Sequence, residues 1–360
     1  MNKSQLILAA ALVALAACEK GNLDYSGPQT LDNEIGFMAV NRKATKANGE
    51  IISGTTYATD NTFQVWGWQS EGGAFAEFAD AAASNFMSNL TISYCGGPQG
   101  RADAWRNADH YYYWPFTGKI SFLALHPSTV APTTTGWDAT NLKPKATIAD
   151  YTIVPGTNET VDLMFATNEG SRRADALPMV FKHALSQIEV QVKTDEDYST
   201  DVAFDVESVQ FNNIDLSGDV AYANDAFSWN DNDTQTQNWV YYNTVLEDIT
   251  DSYQVYGAAK VNIPQPANYN ASILDPSDPL YDAGDAVAAT ITIGYSMEQT
   301  GSAKITGTVT IADPFLSVAA NAWEAGKKYN YTINFRLNEI LFNPSVTDWV
   351  DVAVTTINIY

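Results

Sequence analysis

Cysteine is nearly absent: the 360-residue chain has two, Cys18 and Cys95. With Cys18 set apart for the modification argued below, Cys95 has no partner for a disulfide within the chain. An exported protein in that position must be held by core burial. Histidine is as scarce, with three residues at 110, 126 and 183. None lies in a His-Glu-x-x-His pattern, no cysteine pair has metal-ligand spacing, and no Gly-x-Ser-x-Gly elbow or phosphate-binding glycine loop occurs. The three histidines are expected to be structural, and the chain is expected to have no catalytic residue, no resident metal and no cofactor. Basic residues are few, 19 against 42 acids, for a net charge of −23. That balance excludes a nucleic-acid footprint and favours solubility through self-repulsion. Beyond the first residues no apolar run reaches the roughly 20 residues a membrane helix needs.

The chain opens with Lys3, a short apolar run from Leu6 to Ala14, and Leu15-Ala16-Ala17-Cys18. That three-part layout is a secretory signal peptide. A cysteine after small residues is also the mark of a lipobox, so residues 1–18 are expected to be a lipoprotein signal with Cys18 lipidated, placing the precursor at the outer membrane. Residues 19–43 read as a polar tether carrying one apolar segment, Ile35-Gly36-Phe37-Met38-Ala39-Val40, which stops at Asn41-Arg42-Lys43.

Most of the remainder alternates apolar and polar residues in short runs between turn clusters, the pattern of an all-β sandwich protein. Examples are Thr62 to Trp68, Asn89 to Tyr94, Lys119 to Leu125, Ile188 to Val192 and Lys304 to Ile311. Tyr329, Tyr331, Ile333, Phe335 and Leu337 fall on one face of a long strand. One alanine-rich stretch, Ala74 to Asn85, predicts a short helix. The polar stretch Asn168 to Asp175 reads as a linker, giving two β-sandwiches in tandem over residues 44–176 and 177–360. Two acidic loops, Asp231-Asn232-Asp233 and Asp275 to Asp285, lack the glycine and terminal glutamate of an EF-hand and read as solvated. The rings Tyr111-Tyr112-Tyr113-Trp114-Pro115-Phe116 offer either a core ladder ended by proline or a carbohydrate platform. Exposed rings there, or at Trp66 and Trp68, would mark a monomeric glycan-binding lipoprotein.

Several segments, taken in order, resemble the fimbrillin family, the lipoprotein-derived type V pilins of Bacteroides-type bacteria. They are Tyr112-Tyr113-Trp114-Pro115, Ile120-Ser121-Phe122-Leu123-Ala124-Leu125-His126-Pro127 and Asp162-Leu163-Met164-Phe165-Ala166. Val180-Phe181-Lys182-His183-Ala184-Leu185-Ser186-Gln187-Ile188 matches a family hallmark closely. Ile263-Pro264-Gln265-Pro266, Ile291 to Tyr295, Trp323 to Tyr331 and Val346-Thr347-Asp348-Trp349 follow. The resemblance implies transthyretin-like sandwiches, lipoprotein export, and removal of an N-terminal segment by a trypsin-like, arginine-directed protease. It also implies head-to-tail polymerisation with other fimbrial subunits by strand exchange, giving a cell-surface fimbrium that meets a host or bacterial surface ligand. The family often reads Arg-Ala-Thr at the cleavage site. This chain reads Arg42-Lys43-Ala44-Thr45, so cleavage after either Arg42 or Lys43 is expected. Arg172-Arg173 is a competing dibasic site.

Physically, cleavage there would free a removable strand with Ile35, Phe37 and Ala39 on one face, leaving an open edge for another chain's strand. The C-terminal segment 350–360 supplies a candidate donor. Val350, Val352 and Val354 share one phase, and Ile357 and Ile359 the other, with a slip at Thr355-Thr356. It reads either as that donor or as a final strand of its own domain. Cut, donor tail and open edge together favour a stalk subunit over a tip or an anchor.

Overall fold

The computed structural model describes residues 33–41, 57–96, 103–198, 201–230, 237–266, 289–312, 322–336 and 340–348. In chain order the first strands are β1 (Phe37–Asn41), β2 (Phe63–Ser70), β3 (Met87–Cys95), β4 (Ala104–Arg106), β5 (Lys119–His126), β6 (Thr134–Asp138), β7 (Lys143–Thr152), β8 (Met164–Gly170) and β9 (Leu177–His183). There follow β10 (Ser186–Thr194), β11 (Val202–Ile214), β12 (Ser217–Ala223), β13 (Ala226–Asn230), β14 (Gln237–Tyr242), β15 (Gln254–Val255), β16 (Lys260–Asn262) and β17 (Gln265–Pro266). The last are β18 (Thr290–Gln299), β19 (Ile305–Ala312), β20 (Ala322–Trp323), β21 (Lys327–Phe335) and β22 (Ile340–Asp348). The chain is all-β, as its alternation predicts, and no α-helix occurs among the described residues.

Seven strands close a barrel in the order β1-β4-β3-β2-β5-β8-β9. Its interior holds Phe37, Phe63, Val65, Trp105, Phe122, Met164, Met179 and Phe181. On β2 and β5 the alternate residues Trp66, Trp68, Leu123 and Leu125 face outward and are buried again, in a second and larger core. They meet the sheet β13-β12-β7-β6, where Trp68 and Trp137 lie 5.9 Å apart and Phe165 stacks on Tyr222 at 5.1 Å. Burial on both faces is why β2 and β5 carry nearly unbroken apolar runs.

The C-terminal part is a sandwich of the sheet β15-β10-β21-β22, with β16 on β10, and the sheet β14-β11-β18-β19. Aromatic contacts fill the space between them, Phe211 to Tyr331 at 5.5 Å and Phe204 to Phe335 at 6.0 Å.

The halves are not simply in series. β6 and β7 leave the leading half as a hairpin, and β7 pairs with β12 of the trailing half, Thr152 against Ser217, with β13 on the far side of β12. The stretch read as a linker is not one either. Asn168, Glu169 and Gly170 finish β8 and pair with Phe122, Ser121 and Ile120 of β5. β9 begins at Leu177, where the second domain was expected to begin, yet it completes the barrel by pairing with β8 and β1. The crossing to the trailing half comes at His183-Ala184-Leu185-Ser186. There Ala184 N–H donates to Leu163 O at 2.7 Å and Trp229 Nε1–H to Ala184 O at 2.8 Å.

The predicted helix at Ala74 to Asn85 is a set of turns instead. Phe75 and Ala81 take φ of 56° and 60°, values that end a right-handed helix. Phe75 and Phe78 pack on Trp137, and Ala81 N–H donates to Trp137 O at 2.8 Å, so tertiary packing overrides alanine's propensity.

Candidate functional site

β1 is the barrel's closing strand. It pairs in parallel with β9 over five residues, Phe37 to Asn41 against Leu177 to Phe181. On its other side the antiparallel ladder with β4 has one Cα pair, Phe37 with Trp105. Phe37 is 1% exposed and meets Phe122 edge-on at 5.2 Å and Phe63 at 6.3 Å. Ile35 and Ala39 are buried in the same core, while Met38 and Val40 are only half-buried. Burial of Ile35 and Phe37 stabilises this seat by roughly 3–6 kcal/mol.

The chain leading into β1 is clamped as well. Ile35 N–H donates to Tyr112 O at 2.7 Å, and Trp114 N–H to Asn33 O at 2.8 Å. Glu34 bridges Tyr113 in an isolated antiparallel pair. Its carboxylate meets Arg106 Nε at 3.2 Å, and both side chains are almost wholly buried. Arg172 Nε–H donates to Asn33 Oδ1 at 2.7 Å while its guanidinium lies over the Phe116 ring at 5.2 Å. The dibasic loop Arg172-Arg173 therefore joins β8 to β9 at the barrel's surface and helps hold the first strand's lead-in.

Of the sequence-derived site residues, Ile35, Phe37 and Ala39 come together in the barrel core. Cys18, Arg42, Lys43, Val350, Val352, Val354, Ile357 and Ile359 lie outside the described residues, as do both acidic loops. The buried pair of Glu34 and Arg106 was not singled out from the sequence. The only signal for it was a charged residue at the head of an apolar run.

Two histidines hold buried positions. His126 Nδ1 lies 2.5 Å from the Tyr57 hydroxyl, whose burial pushes its pKa well above the ordinary phenol range. His183 Nδ1–H donates to Asp162 at 2.6 Å. His110 is exposed beside Tyr112.

The aromatic run divides: Trp114 is buried, Tyr113 is half exposed, and Phe116, under Arg172, is 84% exposed. Trp66 and Trp68 are buried and offer no surface to a sugar. A polar cleft of about 570 Å³ runs between β5, β8 and the β12–β13 turn. Its charged groups pair with one another, Lys143 with Asp225 and Lys119 with Glu169, and the Thr167 hydroxyl donates to Asp225.

Comparison with known proteins gives a family match over nearly the whole chain. Residues 34–349 fit the family described as fimbrillin-like. The fold is similar to that of a fimbrial protein from Bacteroides vulgatus, at 17% identity and a TM-score of 0.59, over 89% of this chain and 100% of that one. A putative cell adhesion protein from Bacteroides uniformis aligns over 89% of this chain and 100% of its own, at 16% identity and a TM-score of 0.49. A putative cell adhesion protein from Bacteroides ovatus does so over 89% and 99%, at 13% identity and a TM-score of 0.46. No curated protein matches.

Proposed function

This chain belongs to the fimbrillin-like family, and from that premise we propose that it is a structural subunit of a cell-surface fimbrium serving adhesion. In this reading it is exported as a lipoprotein through Cys18 and held at the outer membrane. A trypsin-like protease then cuts after Arg42 or Lys43. β1 leaves, and residues 350–360 of a neighbouring subunit take its place. Such head-to-tail contacts do not close on themselves and so grow into filaments. The barrel and the C-terminal sheets stand for the family's two transthyretin-like sandwiches.

The observation that carries the reading is the seat of β1. A five-residue strand at the front of the chain completes a barrel core, and two basic residues follow it directly in sequence. Its partners are strands far along the chain, so once cut it is held by non-covalent contacts alone. While the chain is intact, the resident strand escapes the roughly 4–15 kcal/mol that association costs an incoming one. Cleavage removes that advantage, and the groove then accepts main-chain bonds and alternate side chains from a neighbour.

The test is brief trypsin treatment of the folded precursor, followed by gel analysis without boiling. Clipping near Lys43 is expected to yield SDS-resistant ladders, and Arg42→Ala with Lys43→Ala to suppress them. Chains that are clipped and stay monomeric would sink the proposal.

A further inference from the structure

We propose that Arg106 selects and registers the incoming strand by demanding an acidic side chain, and that Asp351 of a second copy of this chain supplies it. The inference rests on the strand-replacement reading above and names the residue pair that makes replacement specific.

Trp105 points into the barrel core, and its neighbour Arg106 projects to the opposite face of β4. There Arg106 is 2% exposed, with Glu34 at 3.2 Å and the Cys95 carbonyl at 3.5 Å from Nη1. Arginine keeps its charge at any working pH. If β1 and its lead-in depart, Arg106 stays behind with Glu34 gone. An incoming segment that covers Arg106 again without supplying an acid would bury its charge unpaired, which is strongly unfavourable. A segment of valines alone would incur that penalty.

The tail meets the requirement in sequence. Val350-Asp351-Val352-Ala353-Val354 carries its one charge between the valines that share a face, and Thr355 to Tyr360 has no charged side chain. Phe37 and Trp105 are antiparallel Cα partners, which brings Gly36 to the level of Arg106. Setting Val352 where Phe37 sits, in the same chain direction, puts Val350 at Ile35 and Val354 at Ala39. Asp351 then falls at Gly36, across from Arg106. The registers one residue to either side turn the valines out of the core and the acid into it. The need for an acid opposite Arg106 picks Val350 to Val354, the portion that carries Asp351, over Ile357 to Ile359 as the part that enters this seat.

The experiment compares laddering by clipped full-length chains. Asp351→Asn is expected to slow ladder formation about tenfold or more, because a charge-assisted bond becomes a neutral one. It should also lower the temperature at which ladders dissolve, with no change in the melting of the unclipped precursor. The double variant Glu34→Leu with Arg106→Leu should invert the preference, polymerising faster with Asp351→Leu than with Asp351 intact. Asp351→Asn alone decides the matter if the double variant does not fold. Wild-type rates for Asp351→Asn would overturn the assignment of Arg106 while leaving strand replacement standing. Failure of the unaltered chain to ladder would overturn both.

Discussion

β1 and β5 run through the same barrel and share one core, yet they are held in it in different ways. β5 pairs with β2 on one side and β8 on the other along its whole length. Its Ile120, Phe122 and Ala124 fill the barrel, and its Leu123 and Leu125 fill the larger core outside it. β1 has a full ladder on one side only, and its outward residues Met38 and Val40 reach solvent. A strand that serves two cores cannot leave without opening both. One that serves a single core can be lifted out, uncovering one groove in an otherwise intact body. On the strand-replacement reading, removability is a matter of how many faces a strand buries, more than of how well its best side chain packs.

The sharpest way to break that contrast is to truncate the two phenylalanines that touch each other. Phe37→Ala and Phe122→Ala should each cost the uncut precursor about 3–5 kcal/mol, read from denaturant midpoints at constant slope. After clipping and assembly they should part company. Phe122→Ala should still lower the dissociation temperature of the ladders, and Phe37→Ala should have no effect on it. An equal penalty in the assembled form would mean that β1 never leaves.

Much of this was legible in the chain. Ile35 to Val40 stands out as an apolar segment between polar stretches, and the outward-and-inward burial of β2 is foreshadowed by its density of aromatics. The hallmark around His183 is legible too, and it sits where two cores meet: Phe181 belongs to the barrel, Ala184 and Leu185 to the larger cluster. What composition cannot convey is partnership at a distance. The parallel register of Phe37 with Leu177 and the ion pair of Glu34 with Arg106 are tertiary facts. Asn168 to Asp175 is polar because it ends a strand and turns at the surface, and polarity alone does not distinguish a hairpin from a linker. Alanine's propensity misled at Ala74 to Asn85 because Trp137 organises that stretch from outside.

A milder pair of substitutions sharpens the same comparison on the outer faces. Leu123→Ala on β5 should destabilise the precursor by about 2–5 kcal/mol, since its side chain is fully buried. Met38→Ala on β1 should cost about 1 kcal/mol or less, because a half-exposed side chain has part of its surface in water already. Similar costs at both positions, measured in the same denaturant series, would show that β1 is covered on its outer face and is not the one-faced strand described above.

The smallest expected effect serves as the control for release itself. Asp205 lies in the C-terminal sandwich, away from β1. Burial opposes its ionisation, but Lys304, the Asp248 N–H and Ser296 together hold its carboxyl below the usual carboxylate range. A carboxyl whose pKa is depressed on folding stabilises the fold above its unfolded value, near pH 4, and loses that contribution as the pH falls through the folded value. Asp205→Asn should therefore lower stability by about 1 kcal/mol at pH 7, a figure kept small because the Lys304 ammonium is partly exposed. The difference from the unaltered chain should shrink as the pH drops below about 4. Laddering after clipping should proceed at the ordinary rate, since the substitution touches neither the groove nor its ladder. If this loss of stability alone accelerated strand release as much as Phe37→Ala does, release would be tracking global stability, and the distinction between a one-faced and a two-faced strand would have no role in it.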